Sequence, residues 1–221
     1  MKNLFFMAAG SLILLSTPMN AQDTADTVKL WRKYPGFIIK TEGDTVHGVL
    51  LLKNKIANQG KVFFFDSMEA EEPSEKFKAK EIRAYKVADR FYESKKYTPE
   101  NTAMRYSFLL KVIDGPLSLY KAFYDDKERV KIDENDIWNS KIDLSFSEAE
   151  LKEQRLGCRE GEDLVFFDGA KFLLGFKKQM SKYLSDCPEI ANRIANKEEG
   201  YHWGDLEKII REYNAWYLSS H

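Results

Sequence analysis

The chain has 221 residues, with 34 basic against 35 acidic side chains and a formal charge of −1. That balance of mixed signs leaves no basic footprint for nucleic acid and no polybasic segment for a membrane surface. Aromatic residues make up 14% of the chain, which fits a packed domain and excludes a disordered one.

In chain order, the first signal is for export. Lys2 gives a positive start, Leu4 to Leu15 form an apolar run, and small Ala21 stands where a signal peptidase would cut. The run is too short to span a bilayer, which takes about 20 apolar residues. Cleavage is therefore expected after Ala21, giving a signal at 1–21, a short lead at 22–34 and one domain over 35–221. The leader takes with it one of the basic residues and none of the acidic ones. No later apolar run approaches spanning length, so no transmembrane segment is expected after cleavage.

From Pro35 to about Phe146 the signals are those of strands and hairpins. "GFIIK" and "TVHGVLLLK" flank "TEGD", where Gly43 can take the positive φ of a tight turn. "KVFFFDS", "EIRAYKVA" and "RFYESKKY" continue the pattern, and "RYSFLLKVI" joins "LSLYKAFYD" through "DGP". Tyr106, Phe108, Leu110 and Val112 are expected to share one face. Residues 147–155, "SEAELKEQR", have a capping-box spacing from Ser147 to Glu150 but little to bury, and read as a short exposed helix or a loop. "EDLVFF", near 162–167, reads as a last strand.

From Asp168 the period becomes helical. "DGAKFLLGFKKQMSKYL", "CPEIANRIANK" and a segment beginning near Gly204 predict three amphipathic helices. Asn214, polar on the packed face of the third, is expected to tie down a loop backbone through its amide. The fold expected is α+β: an antiparallel meander, curled into a sandwich or partly open barrel, with the three C-terminal helices packed on it.

Several stretches then stand together: a leader ending in "NAQ", "GFIIKTEGDTVHGVLLLK", "KFKAKEIRAYKV", "FLLKVIDGPLSLYKAFY" and "YLSDCPEIANRIANKEEGYHWGDLEKIIREYN". On these the chain resembles a group of uncharacterised secreted proteins of Bacteroidota, from about Gly36 to Asn214. The "SDCP" junction and the terminal "EYN" are the most specific pieces. The resemblance implies export from a Gram-negative cell and an α+β build, and no particular reaction.

The sharpest chemical question is Cys187 in "SDCPEI". Asp186 can cap the following helix, with Glu189 completing a capping box. Alternatively Pro188 occupies the first helical position and Cys187 is the cap. A third reading is a nucleophilic thiolate at the helix N-terminus with His202 as its base, although Asp186 opposes a lowered thiol pKa. A disulfide between Cys158 and Cys187, the two cysteines of an exported chain, is a fourth. Closing that loop would stabilise the fold by about 3–4 kcal/mol in the chain-entropy model.

No second His or Cys lies at ligand spacing from His202, so no metal is expected. The acidic runs Glu69 to Glu75 and Asp133 to Trp138 lack calcium-loop spacing and read as solvated turns. No GxSxG, GxGxxG, HExxH or P-loop occurs, so no catalytic motif or cofactor is called. Tyr201 and Trp203 can form a platform for a sugar or peptide, or belong to the core. The function expected is a non-catalytic exported module in the periplasm or at the cell surface, binding or scaffolding an envelope protein or glycan. The alternatives are a hydrolase or thiol enzyme using Cys187 with His202, and a subunit of an envelope complex.

Overall fold

A computed structural model of the chain describes residues 28–97, 105–125, 130–131, 141–142 and 148–221. The export signal and the Asp133–Trp138 run lie outside them. Ten strands form one open antiparallel sheet: β1 (Arg32–Lys40), β2 (Thr45–Leu52), β3 (Lys61–Phe65), β4 (Glu75–Lys78), β5 (Ile82–Val87), β6 (Arg90–Tyr97), β7 (Arg105–Ile113), β8 (Leu117–Tyr124), β11 (Lys152–Arg159) and β12 (Val165–Phe166). Their order across the sheet is β12-β11-β8-β7-β6-β5-β1-β2-β3-β4, while β9 (Val130–Lys131) and β10 (Lys141–Ile142) pair separately. The helices are α1 (Lys55–Asn58), α2 (Ala170–Leu174), α3 (Phe176–Tyr183), α4 (Pro188–Asn196) and α5 (Leu206–Ser220). The chain is thus α+β, an antiparallel sheet with helices gathered at its C-terminal end. No helix among the described residues is long and apolar enough to cross a membrane.

The period-two alternation of the strands divides the buried residues between two faces. On one face, Ile38, Leu50, Leu52, Phe64, Tyr85, Tyr92 and Phe108 pack together as the sheet curls around them. Further along the same face, Leu117, Leu119 and Ile113 meet the helices through Phe176, Met180, Ile194, Ile210 and Tyr213. On the opposite face Leu109, Tyr120, Leu156 and Cys158 form a smaller cluster. A bulge in β7 at Val112 breaks the alternation, so that Val112 and Ile113 both pack toward the helices. Phe108, Leu110 and Val112 thus share one face as expected, the bulge adds Ile113 to it, and Tyr106 at the outer end of the row is 45% exposed.

The segment from Lys53 to Lys61 is polar in sequence yet largely buried, because most of its polar atoms find partners; Asn54 Nδ2 is the exception. Asn54 Oδ1 caps α1 at Ala57 N, 2.8 Å. Asn58 exchanges side-chain bonds with both backbone groups of Lys53, at 3.2 and 2.9 Å. The Lys53 ammonium donates to the carbonyls of Ala57 and Lys61 and lies 5.0 Å over the Phe63 ring. Gln59 goes further. Its carbonyl accepts from Phe108 N and Ser107 Oγ, while its side-chain amide exchanges both bonds with the Phe123 backbone at 2.7 and 2.8 Å. Gln59 is thus a wedge that completes the ladder between β7 and β8 where those strands splay apart.

Helix placement departs from the sequence pattern in instructive ways. The first predicted helix breaks at Gly175 into α2 and α3. Residues 152–155, the second half of the segment expected as a helix or loop, instead open the strand β11 against β8, preceded by a single 3-10 turn at Glu148–Glu150. Glu148 earns its place there by pairing with Arg90 at 2.8 Å and accepting from Lys55 N at 2.6 Å. Asn214 on α5 ties down the β7–β8 turn, accepting from Leu117 N at 2.9 Å and donating to its carbonyl at 3.0 Å.

Candidate functional site

The residues singled out in the sequence do not converge. Cys187 stands at the N-cap of α4 with Pro188 opening the helix, and its side chain makes no capping bond. It is 1% exposed, inside the apolar layer between sheet and helices. His202 is on the exposed surface, its backbone N–H donating to Asp205 at 3.0 Å. A buried sulfur and a solvated imidazole do not make a nucleophile and its base. Asp186 is not the cap either: its carboxylate accepts from Arg159 at 2.9 Å and from the Tyr213 hydroxyl, binding β11 to α5. Glu189 pairs instead with Arg193 one turn on, at 3.0 Å.

The disulfide between Cys158 and Cys187 is not formed; both thiols are free and buried. The reason is the strand's alternation. Gly157 and Arg159 face the helices, which puts Cys158 on the opposite face beside Tyr120 and Leu156. Burial raises the Cys158 thiol pKa, and its Sγ donates to the carbonyls of Arg159 and Glu162.

Tyr201 is not a platform: it is 4% exposed, and its hydroxyl lies between Arg193 at 2.5 Å and Glu212 at 2.6 Å. The Arg155 guanidinium, held by Asp168 at 2.8 Å, stacks 4.1 Å from the centre of the Trp203 ring. Trp203 Nε1 donates to Phe167 O at 3.3 Å, stapling the start of α5 to the end of β12. Among the described residues, no group of three or more His, Cys, Asp or Glu side chains converges as a metal ion requires.

What the strands do bring together is an open groove of about 900 Å³ on the face away from the helices. The registers build it: Ile39 pairs Ala84, Ala84 pairs Glu93, and Glu93 pairs Leu109, so these residues form one row across β1, β5, β6 and β7. Phe91 and Lys111 extend the row, and Lys80 and Tyr106 form the far rim, their ammonium and ring 5.8 Å apart. Between the pairs Ile39–Ala84 and Lys40–Ile82, β5 carries one extra residue, Arg83. This bulge re-aims Arg83 toward the β1–β2 turn, where a side-chain carbon on Gly43 would lie 3.9 Å from its guanidinium. Gly43 itself has φ +106°, a conformation that suits glycine.

The groove is cationic. Lys80, Arg83 and Lys111 line it, and Glu93 is the one carboxylate among its lining residues. Glu93 accepts from Lys95 at 2.6 Å, Lys111 at 2.8 Å and the Tyr120 hydroxyl at 2.9 Å. Burial alone would raise its pKa, but bonds from Lys111 and then Lys95 outweigh that and hold it below 4.5. Lys111 is likewise pushed down by burial and carried above 10.5 by Glu93 and Asp114. Burial, then the Glu93 charge, raises the Tyr120 phenol far above its ordinary range, so it stays a neutral donor. Arg83 has no such partner among the described residues and is exposed. The arrangement offers a fixed charge network as the floor and an uncommitted guanidinium at the mouth.

A depressed carboxylate pKa contributes stability above the unfolded pKa and loses it as pH falls through the folded value. Glu93 should therefore stabilise the fold at neutral pH and lose that contribution in acid, below about pH 4.5. Denaturant titrations between pH 3 and 7 should show a shallower acid limb for Glu93→Gln than for the parent. Parallel limbs would show that the network contributes nothing to folding.

No family model, curated protein or solved structure matches this chain. No single segment of sequence signals the groove. Its residues come from five strands and the turns between them, and the bulge that presents Arg83 depends on the pairing of β1 with β5. The one visible hint was the run of Lys and aromatic residues in "RFYESKKY".

Proposed function

We propose that the protein is an exported, non-catalytic binding module of the bacterial envelope that takes an acidic oligosaccharide in the groove across β1, β5, β6 and β7. The observation that carries this is the uncommitted Arg83, with Lys80 beside it, over a groove whose one lining carboxylate is already neutralised by two lysines. A carboxylated sugar fits the lining, since guanidinium groups pair with carboxylates in a fork. Phe91 and Tyr106 provide aromatic surface for sugar rings, and Thr41 and Thr45 provide hydroxyls at the mouth. The groove is open rather than enclosed, as an extended chain requires. Export to the periplasm or cell surface rests on residues 1–21, and a Bacteroidota origin on the resemblance of the secreted group. A thiol enzyme built on Cys187 and His202 draws no support from a buried sulfur and an exposed imidazole.

Calorimetry with tetragalacturonate, against uncharged maltotetraose, tests this reading. Binding of the acidic sugar alone is expected, weakened at least tenfold in Arg83→Ala, abolished in Arg83→Glu, and reduced by salt. Equal binding of both sugars, no binding of either, or indifference to Arg83 would refute it. A poly-glutamate peptide binding in place of the sugar would move the ligand class to acidic proteins.

A further inference from the structure

The kink at Gly175 has an outward consequence. Leu174, at the elbow between α2 and α3, is 93% exposed, and its neighbour Leu173 is 39% exposed. A singly exposed leucine needs no explanation. This one is framed by Lys171, Lys177, Lys178 and Lys182, all exposed, with no acidic residue between Asp168 and Asp186. None of the four ammonium groups has a hydrogen bond or ion pair among the described residues. Lys171 and Leu174 lie on α2, while Lys178 and Lys182, four residues apart, share the outer side of α3, whose inward side carries Phe176 and Met180. Of the flanking acidic residues, Asp168 is tied to Arg155 and Asp186, near Tyr183 at the far end of α3, is tied to Arg159. No more than two of these lysines are consecutive in sequence, so the cluster forms no polybasic run and is assembled only by the helices.

From this juxtaposition we propose that the α2–α3 elbow docks the protein on an anionic lipid surface, with Leu174 entering the headgroup boundary and the lysines meeting the lipid phosphates. Unpaired lysines around a protruding apolar tip are complementary to a negatively charged bilayer, which attracts basic segments and accepts apolar side chains at its interface. The groove lies on the other face of the sheet from the helices, so docking at the elbow leaves it open to solvent.

The test is co-sedimentation of the purified protein with vesicles of equimolar phosphatidylglycerol and phosphatidylcholine, against phosphatidylcholine alone. Partition into the anionic vesicles is expected to exceed that into neutral ones at least tenfold and to fall with salt. Leu174→Ser should reduce it about tenfold, the worth of losing one buried leucine side chain, and Lys171→Glu with Lys178→Glu should abolish it. All three positions are exposed, so an unchanged circular dichroism spectrum and melting curve will separate lost docking from lost folding. Absence of binding to anionic vesicles, equal binding to neutral ones, or binding unaffected by these substitutions would overturn the proposal. So would a dimer of the parent in sedimentation velocity that Leu174→Ser dissociates, since the elbow would then be a contact between copies of this chain.

Discussion

Gln59→Ala is expected to lower the unfolding free energy by about 3 kcal/mol, read as a fall in the denaturant midpoint at unchanged slope. The wild-type side chain replaces a missing stretch of ladder: its amide both accepts from Phe123 N and donates to Phe123 O. Alanine would leave both backbone groups without partners in a region where Gln59 itself is only 6% exposed. Gln59→Glu offers a sharper signature. A carboxylate can accept from Phe123 N but cannot donate to its carbonyl, and burial raises its pKa. A raised folded pKa means stability is fully present below the unfolded value, about 4.3, and is lost as pH rises through the folded one. The glutamate variant should therefore be more stable in mild acid than at neutrality, opposite to the trend set by Glu93. If Gln59→Ala costs under about 0.5 kcal/mol, the range of an ordinary surface change, the wedge does not hold β7 and β8 together.

The second large effect lies where sheet meets helices. Phe167 is fully buried, its ring 5.1 Å from that of Phe172 and 6.0 Å from that of Tyr183. It rests on Gly157 of β11, where an added side-chain carbon would come within 2.2 Å of the ring. Phe167→Ala should cost about 3–5 kcal/mol, through lost burial and the cavity left behind. Gly157→Ala should cost about 1–3 kcal/mol, because the ring must leave its seat and drag α2 and α3 with it. The two positions are directly coupled. Phe167→Leu combined with Gly157→Ala should therefore be milder than the sum of the single changes by about 1 kcal/mol or more. Additivity within about 0.5 kcal/mol in equilibrium unfolding would mean the ring is not seated on the glycine.

Local patterns in the sequence were reliable where one face of a strand is buried and a turn carries its own chemistry. The β1–β2 hairpin is the clear case, with alternating apolar residues on either side of Gly43. The helices α4 and α5 were equally plain, because Ile190, Ile194, Ile209 and Ile210 recur at helical spacing and all are buried. β11 was obscured because its first residues, Lys152 to Gln154, are charged or polar and face solvent at the sheet's thin edge. β4 was hidden for a similar reason: "EKFK" buries little and reads like the acidic turn before it. The segment from Lys53 to Lys61 was silent, since a run of Lys, Asn and Gln carries no apolar period. It can be buried because backbone groups within the segment satisfy Lys53, Asn58 and Asn54 Oδ1, and the Phe123 backbone, distant in sequence, satisfies Gln59. The candidate groove was invisible for the same physical reason, as its cationic lining is set by register and by a bulge, neither of which is written in any one strand.

The clasp of Asn214 on Leu117 also has a consequence in time. Strands β5 to β8 are sequential neighbours, so a chain delivered N-terminus first can pair them as each hairpin emerges. The face carrying Leu117 and Leu119, however, is covered, among the described residues, mainly by those from Val165 onward, and the clasp waits for position 214. Until then the nascent sheet shows a bare greasy surface to whatever holds it. A chain truncated before that asparagine would be stranded in this sticky state, a ready substrate for chaperones and proteases rather than a smaller working protein.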